Sequence, residues 1–169
     1  EYTSDNNIID IKGLRDETSQ NIISLFEEAS KLNLTLGLEP IGSWEILKKG
    51  HFNSIASCLK LVKDNNHKLI IDLYHSFTDA DLDTFLRKSS NLGLLQFSNI
   101  SFDKNLRPIG RKTINDLNNQ NNLELSKYIK YIFNRKDKIK IEFEVFQSDV
   151  NEDPKEIILN LKSEILKLL

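Results

Sequence analysis

Methionine is absent from the 169 residues, even at the first position. Together with the start Glu1-Tyr2-Thr3-Ser4, this makes a piece of a longer protein, or a processed product, the expectation. Cysteine occurs once, at Cys58, so an internal disulfide is excluded and a reducing cytoplasm is the economical compartment. No run of about eighteen apolar residues and no signal-like start is present, which argues against a membrane-spanning helix or a secretory leader. Charge of either sign is not in excess: the formal net charge is −2, leaving no electrostatic case for nucleic acid or a membrane surface as the main partner. Glycine is scarce, six in all, and none forms a Gly-rich phosphate loop at a strand-to-helix turn. A doubly wound nucleotide-binding sheet therefore lacks its signature.

What is present is a run of short apolar strands alternating with amphipathic helices. Leu69-Ile70-Ile71-Asp72-Leu73-Tyr74-His75 is the centre of the pattern. An uninterrupted apolar run ending in a carboxylate, with an imidazole three residues on, reads as a buried parallel strand delivering polar groups to the end of a sheet. Before it, Ile8 to Ile11 closed by Gly13 reads as a strand end, and residues 16 to 32 carry a helical stripe of Ile22, Leu25, Phe26, Ala29 and Leu32. Leu34 to Glu39 reads as a strand stopped by Pro40, and Phe52 to Val62 as a second helix.

After the centre, Thr78 and Asp81 form a capping-box-like start for a helix with Leu82, Phe85 and Leu86 inward. Leu92 to Gln96 is the next strand, and a long polar loop holding Arg107-Pro108-Ile109-Gly110-Arg111 runs to about Thr113. Leu125 to Phe133 is helical. Strict alternation from Lys138 to Phe146 puts Ile139, Ile141, Phe143 and Val145 on one face of a strand and Lys140, Glu142 and Glu144 on the other. Asp153 caps a last helix with Ile157, Ile158, Leu161, Ile165 and Leu168 inward.

The crossovers suit right-handed βαβ units and a parallel sheet. Polar residues in mid-strand, at Lys140 and Glu142, fit the interior of a (β/α)8 TIM barrel. About five β/α units are legible where a whole barrel has eight in about 250 residues, so residues 1–169 read as a single domain, the C-terminal part of such a barrel. Taken singly, Asp72 is an ordinary cap and His75 an ordinary loop histidine. Four strand ends in series carrying Glu39, Asp72, Gln96 and Glu144 point to a shared mouth. Three carboxylates there repel one another, so a positive charge must sit between them. A hard divalent cation with oxygen ligands meets that need, Mn²⁺ or Mg²⁺ ahead of Co²⁺ or Zn²⁺.

At these residues the chain resembles the xylose-isomerase-like TIM-barrel sugar isomerases and epimerases. The matching pieces are Leu38-Glu39-Pro40 with Glu45, Asp72-Leu73-Tyr74-His75, Gln96-Phe97-Ser98-Asn99, Arg107-Pro108-Ile109-Gly110 and Glu144-Val145-Phe146. Gln96 stands where the family often has His and where its hydroxypyruvate-isomerase-like branch has Gln. Asn99 replaces a common Asp, and Gly110-Arg111 lacks the usual second glycine.

The resemblance implies Glu39, Asp72, Gln96 and Glu144 as metal ligands, Glu39 and Glu144 also as the acid/base pair, and His75, Glu45 and Arg107 as substrate contacts. The implied activity is divalent-metal-dependent isomerisation or epimerisation of a small sugar or sugar phosphate, by proton abstraction beside a carbonyl and an enediolate intermediate. A homo-oligomer is compatible with it. The alternatives are a zinc phosphodiesterase of the endonuclease IV type, for which three histidines are few, and a non-catalytic barrel fragment.

Overall fold

The computed structural model describes residues 10–45, 50–115 and 124–168. Helix α1, Ile11–Lys31, opens on Asp10, whose carboxylate accepts the Gly13 backbone N–H at 2.9 Å. The expected strand over Ile8 to Gly13 is therefore corrected from Ile11 onward, where the cap starts a helix; residues 8 and 9 lie outside the described residues. Strand β1, Gly37–Leu38, is much shorter than the expected Leu34 to Glu39: the Leu34 N–H bonds back to the Ala29 carbonyl of α1 and the Leu36 N–H to His67 Nδ1, so neither joins a ladder.

Helix α2 spans Ile55–Lys63, strand β2 Lys68–Asp72, helix α3 Leu73–Ser76 and helix α4 Leu82–Lys88. Asp81 occupies the α4 cap position without a side-chain cap bond; Asp79 instead accepts the backbone N–H of both Asp81 and Ile55. Strand β3, Leu92–Phe97, is followed by a hairpin of β4, Asn99–Phe102, and β5, Pro108–Lys112. Helix α5, Leu125–Phe133, strand β6, Lys140–Phe143, and helix α6, Pro154–Leu166, complete the order.

The expected long loop is thus a two-stranded antiparallel ribbon. Its turn is closed by Asp103, whose carboxylate accepts the backbone N–H of Asn105 and Arg107, with Leu106 in the left-handed region at φ 59°. Pro108 stands at the first position of β5, where a missing donor costs the ribbon little.

The main sheet has the order β1-β2-β3-β6, parallel throughout. One face buries Leu69, Ile71, Leu95 and Phe97 in a core with Ile55, Cys58 and Val62 of α2, Leu82, Phe85 and Leu86 of α4, and Leu125, Ile129 and Ile132 of α5. The other carries Ile70, Asp72, Leu94, Gln96, Lys140 and Glu142, which the parallel register puts side by side. In a closed barrel that face lines the interior. Gly93 is required where β2 and β3 slip register: a Cβ there would lie 2.7 Å from the Lys68 Cβ.

The helical stripes hold in part. Leu25, Leu32 and Ile158, all expected inward, are exposed, whereas Phe26, Ala29 and Ile157 are buried.

Candidate active site

Parallel strands present their C-terminal ends on one side, and here those ends converge on a cavity of about 340 Å³. Glu39 follows β1 and Glu144 follows β6, the two outer strands of the sheet, and both line the cavity. Asp72 ends β2 beneath it, fully buried. One carboxylate oxygen of Asp72 accepts the Tyr74 N–H at 2.9 Å, capping α3, which turns His75 toward the cavity. Glu45, in a 3-10 turn of Ser43–Glu45, lines it as well.

The positive charge that the carboxylates require is in the chain. Arg111, on β5 and only 5% exposed, donates from Nη2 to Asp72 at 2.5 Å and to Glu144 at 2.8 Å. Its guanidinium carbon lies 4.3 Å from the Tyr74 ring centre and 5.3 Å from that of Phe146, so an aromatic ring covers it from each residue. Asp149 accepts the Arg111 backbone N–H at 3.2 Å and ties the ribbon to the turn after β6. Burial pushes the Asp72 carboxyl above its ordinary value, while Arg111 and the Tyr74 N–H pull it back.

His75 is oriented by an acceptor bond. Its Nδ1 takes the Gly42 N–H at 3.2 Å, so the neutral ring carries its proton on Nε2. Nε2 lies 3.9 Å from Glu39 and 4.0 Å from Asp72. Trp44 flanks the ring at 6.3 Å and meets Tyr74 and Phe77 at 5.9 and 5.4 Å, forming an aromatic wall beside the mouth.

Of the residues singled out in the sequence, Glu39, Glu45, Asp72, His75 and Glu144 are brought together. Gln96 is not: its amide donates to Glu142 at 3.3 Å, and it does not line the cavity. Arg107 lies exposed at the ribbon turn, and Arg111 occupies the cavity in its stead. Arg111, Asp149 and Phe146 were not anticipated as site residues. The signal available for Arg111 was its place at the missing second glycine, combined with the need for a cation among the carboxylates.

Glu39, Asp72 and His75 each offer a ligand atom within 4.8 Å of the others, a group that could hold a metal ion. The wider set fits a divalent ion poorly as it stands. Asp72 and Glu144 are bonded to a guanidinium, Gln96 does not line the cavity, and His75 presents an N–H rather than a lone pair at Nε2.

No protein-family model and no curated protein sequence matches the chain. Solved structures do. A xylose isomerase domain containing protein from Salmonella typhimurium is 14% identical with a TM-score of 0.65, over 98% of this chain and 60% of that one. The 3-keto-D-glucoside 4-epimerase YcjR of E. coli is 15% identical with a TM-score of 0.66, over 98% of this chain and 57% of that one. The IolI protein, solved with a bound zinc atom, is 15% identical with a TM-score of 0.65, over 96% and 59%. The chain spans about three-fifths of the length of these neighbours. It carries the fold of the xylose-isomerase-like TIM barrels, as a partial barrel.

Proposed function

We propose that the protein is a carbohydrate isomerase or epimerase that moves a proton at a carbon next to a carbonyl. The observation that carries this reading is the convergence of Glu39 and Glu144, from the two outer strands, on one cavity that also holds His75 and Glu45. One carboxylate takes the proton, and the electron pair of the C–H bond forms a carbon–carbon double bond while the carbonyl oxygen gains charge. Return of the proton to the neighbouring carbon, as the hydroxyl proton passes to the former carbonyl oxygen, interconverts an aldose and a ketose. Return to the first carbon from the opposite face epimerises it. His75, with its Nε2–H directed between Glu39 and Asp72, and Glu45 hold substrate hydroxyls in this scheme.

The reading includes closure of the barrel over the polar sheet face, by further strands or by a second copy. It draws support from fold neighbours that are sugar epimerases. The phosphodiesterase alternative has little support: His67 is engaged with the Leu36 N–H and the Phe26 carbonyl, leaving His75 as the imidazole at this cavity.

The test is a screen of small ketoses and their phosphates, with and without Mn²⁺, on the full-length natural protein, with product sugars resolved by chromatography. Conversion that disappears in Glu39→Gln and Glu144→Gln supports the assignment. Conversion unaffected by both substitutions contradicts it.

A further inference from the structure

The cation at the centre of this site invites the question of what a metal would have to displace. Arg111 is 95% removed from solvent by its 5% exposure, and its Nη2 already joins two of the four residues expected as metal ligands. Its Nε and Nη1 are buried without a hydrogen-bond partner among the described residues. Burying a guanidinium is expensive unless it is paired, so such a group is kept in place by the carboxylates it neutralises. A divalent ion at Asp72 would have to break a 2.5 Å charge-assisted bond and then face the displaced guanidinium at close range. His75 adds to this, because the Gly42 N–H fixes the tautomer whose Nε2 is a donor.

We propose that Arg111 occupies the role of a divalent cation in this chain, so that the carboxylate cluster is held by an internal guanidinium and the site works without a bound metal. The inference rests on the isomerase or epimerase reading only for its chemical consequence. In that reaction the charge growing on the carbonyl oxygen is met by N–H donors that line the cavity, His75 Nε2–H and the Arg111 guanidinium. Atoms balance without a further reactant: one carboxylate takes the proton from carbon, the C–H pair becomes the double bond, and carbon is reprotonated by a carboxylate whose proton exchanges with solvent.

The decisive experiment is a titration with Mn²⁺ alone, followed by calorimetry and by loss of the free-ion paramagnetic resonance signal. The wild-type chain is expected to show no saturable site below about 1 mM, weaker than the carboxylate-rich sites built for hard cations. Arg111→Met, checked for folding by circular dichroism, frees Asp72 and Glu144 and is expected to gain a site at least about tenfold tighter, the size of effect that ligand surroundings exert on metal affinity. Arg111→Lys retains the charge and is expected not to gain one, and the wild-type titration decides the proposal by itself where Arg111→Met does not fold. A single micromolar Mn²⁺ site in the wild type overturns the proposal, and so does a folded Arg111→Met that gains nothing. Either result leaves the isomerase reading standing, whereas absence of proton exchange at any sugar would sink that reading without touching this one.

Discussion

Replacing Arg111 by methionine should be among the most damaging single changes outside the apolar core. Asp72 has no exposure at all and Arg111 only 5%, so the substitution leaves a buried carboxylate with the Tyr74 N–H as its remaining described donor. Removing one partner of a buried pair costs about 3–5 kcal/mol. Loss of the guanidinium over Tyr74 at 4.3 Å adds about 0.5–2 kcal/mol, offset in part by the apolar volume that methionine restores. A net loss of about 4 kcal/mol is a large share of the roughly 5–15 kcal/mol that hold a domain together. The double variant Asp72→Asn with Arg111→Met should lose less than the sum of its parts, by a coupling of about 1–3 kcal/mol, because the amide no longer strands a charge. Urea unfolding at neutral pH, followed by far-ultraviolet circular dichroism, measures all three. A single-variant loss below about 1 kcal/mol, or additivity within about 0.5 kcal/mol, would refute the view that the guanidinium holds this cluster.

Arg135 ties the end of α5 to the end of α4, donating to the carbonyls of Leu86 at 2.8 Å and Ser89 at 2.6 Å and to Asp137. Arg135→Ala should cost about 1.5–3 kcal/mol in thermal or urea unfolding, since these bonds come from a charged donor. Hydrogen bonding from Lys127 holds the Asp83 carboxyl below its ordinary 3.8. The unfolded chain therefore binds a proton first as pH falls, so this stabilisation is present above about 3.8 and is lost as pH drops through the lower folded value. Asp83→Asn should flatten the acid limb of the stability profile, and an unchanged limb would contradict the assignment. Burial pushes the Cys58 thiol up to about 12. The native protein should accordingly leave a thiol-reactive chromophore unconsumed at mildly alkaline pH, and the urea-unfolded chain should consume one equivalent.

The sequence was most readable where one physical demand dominated. The apolar run from Leu69 is the buried strand its pattern demands, but it ends at Asp72: that residue caps a short helix, so Leu73, expected to close the strand, opens α3 instead. Alternation from Lys138 onward also assigned the faces of β6, with Ile141 and Phe143 toward the helices and Lys140 and Glu142 away. The ribbon was hidden because its strands are short, one begins with Pro108, and a register shift at Ser101/Phe102 breaks the alternation. That ribbon sets Arg111 opposite the buried Ile100, which is why Arg111 and not Arg107 reaches the carboxylates. Local pattern placed the carboxylates and their need for a cation; only the tertiary register supplied the cation's identity. Gln96 lies level with Asp72, yet its amide is satisfied by Glu142 across the strand. A position on the right face of the right strand does not settle which neighbour a side chain bonds.

The central claim is that Glu39 and Glu144 move a proton at carbon. The most direct measurement is incorporation of solvent deuterium into a ketose at the carbon beside its carbonyl, followed by nuclear magnetic resonance on the full-length natural protein. The wild type should wash deuterium into the sugar, and Glu144→Gln should abolish the exchange while keeping a native circular dichroism spectrum. If no sugar in a broad panel acquires deuterium, or if Glu39→Gln and Glu144→Gln both exchange it at the wild-type rate, the account is contradicted.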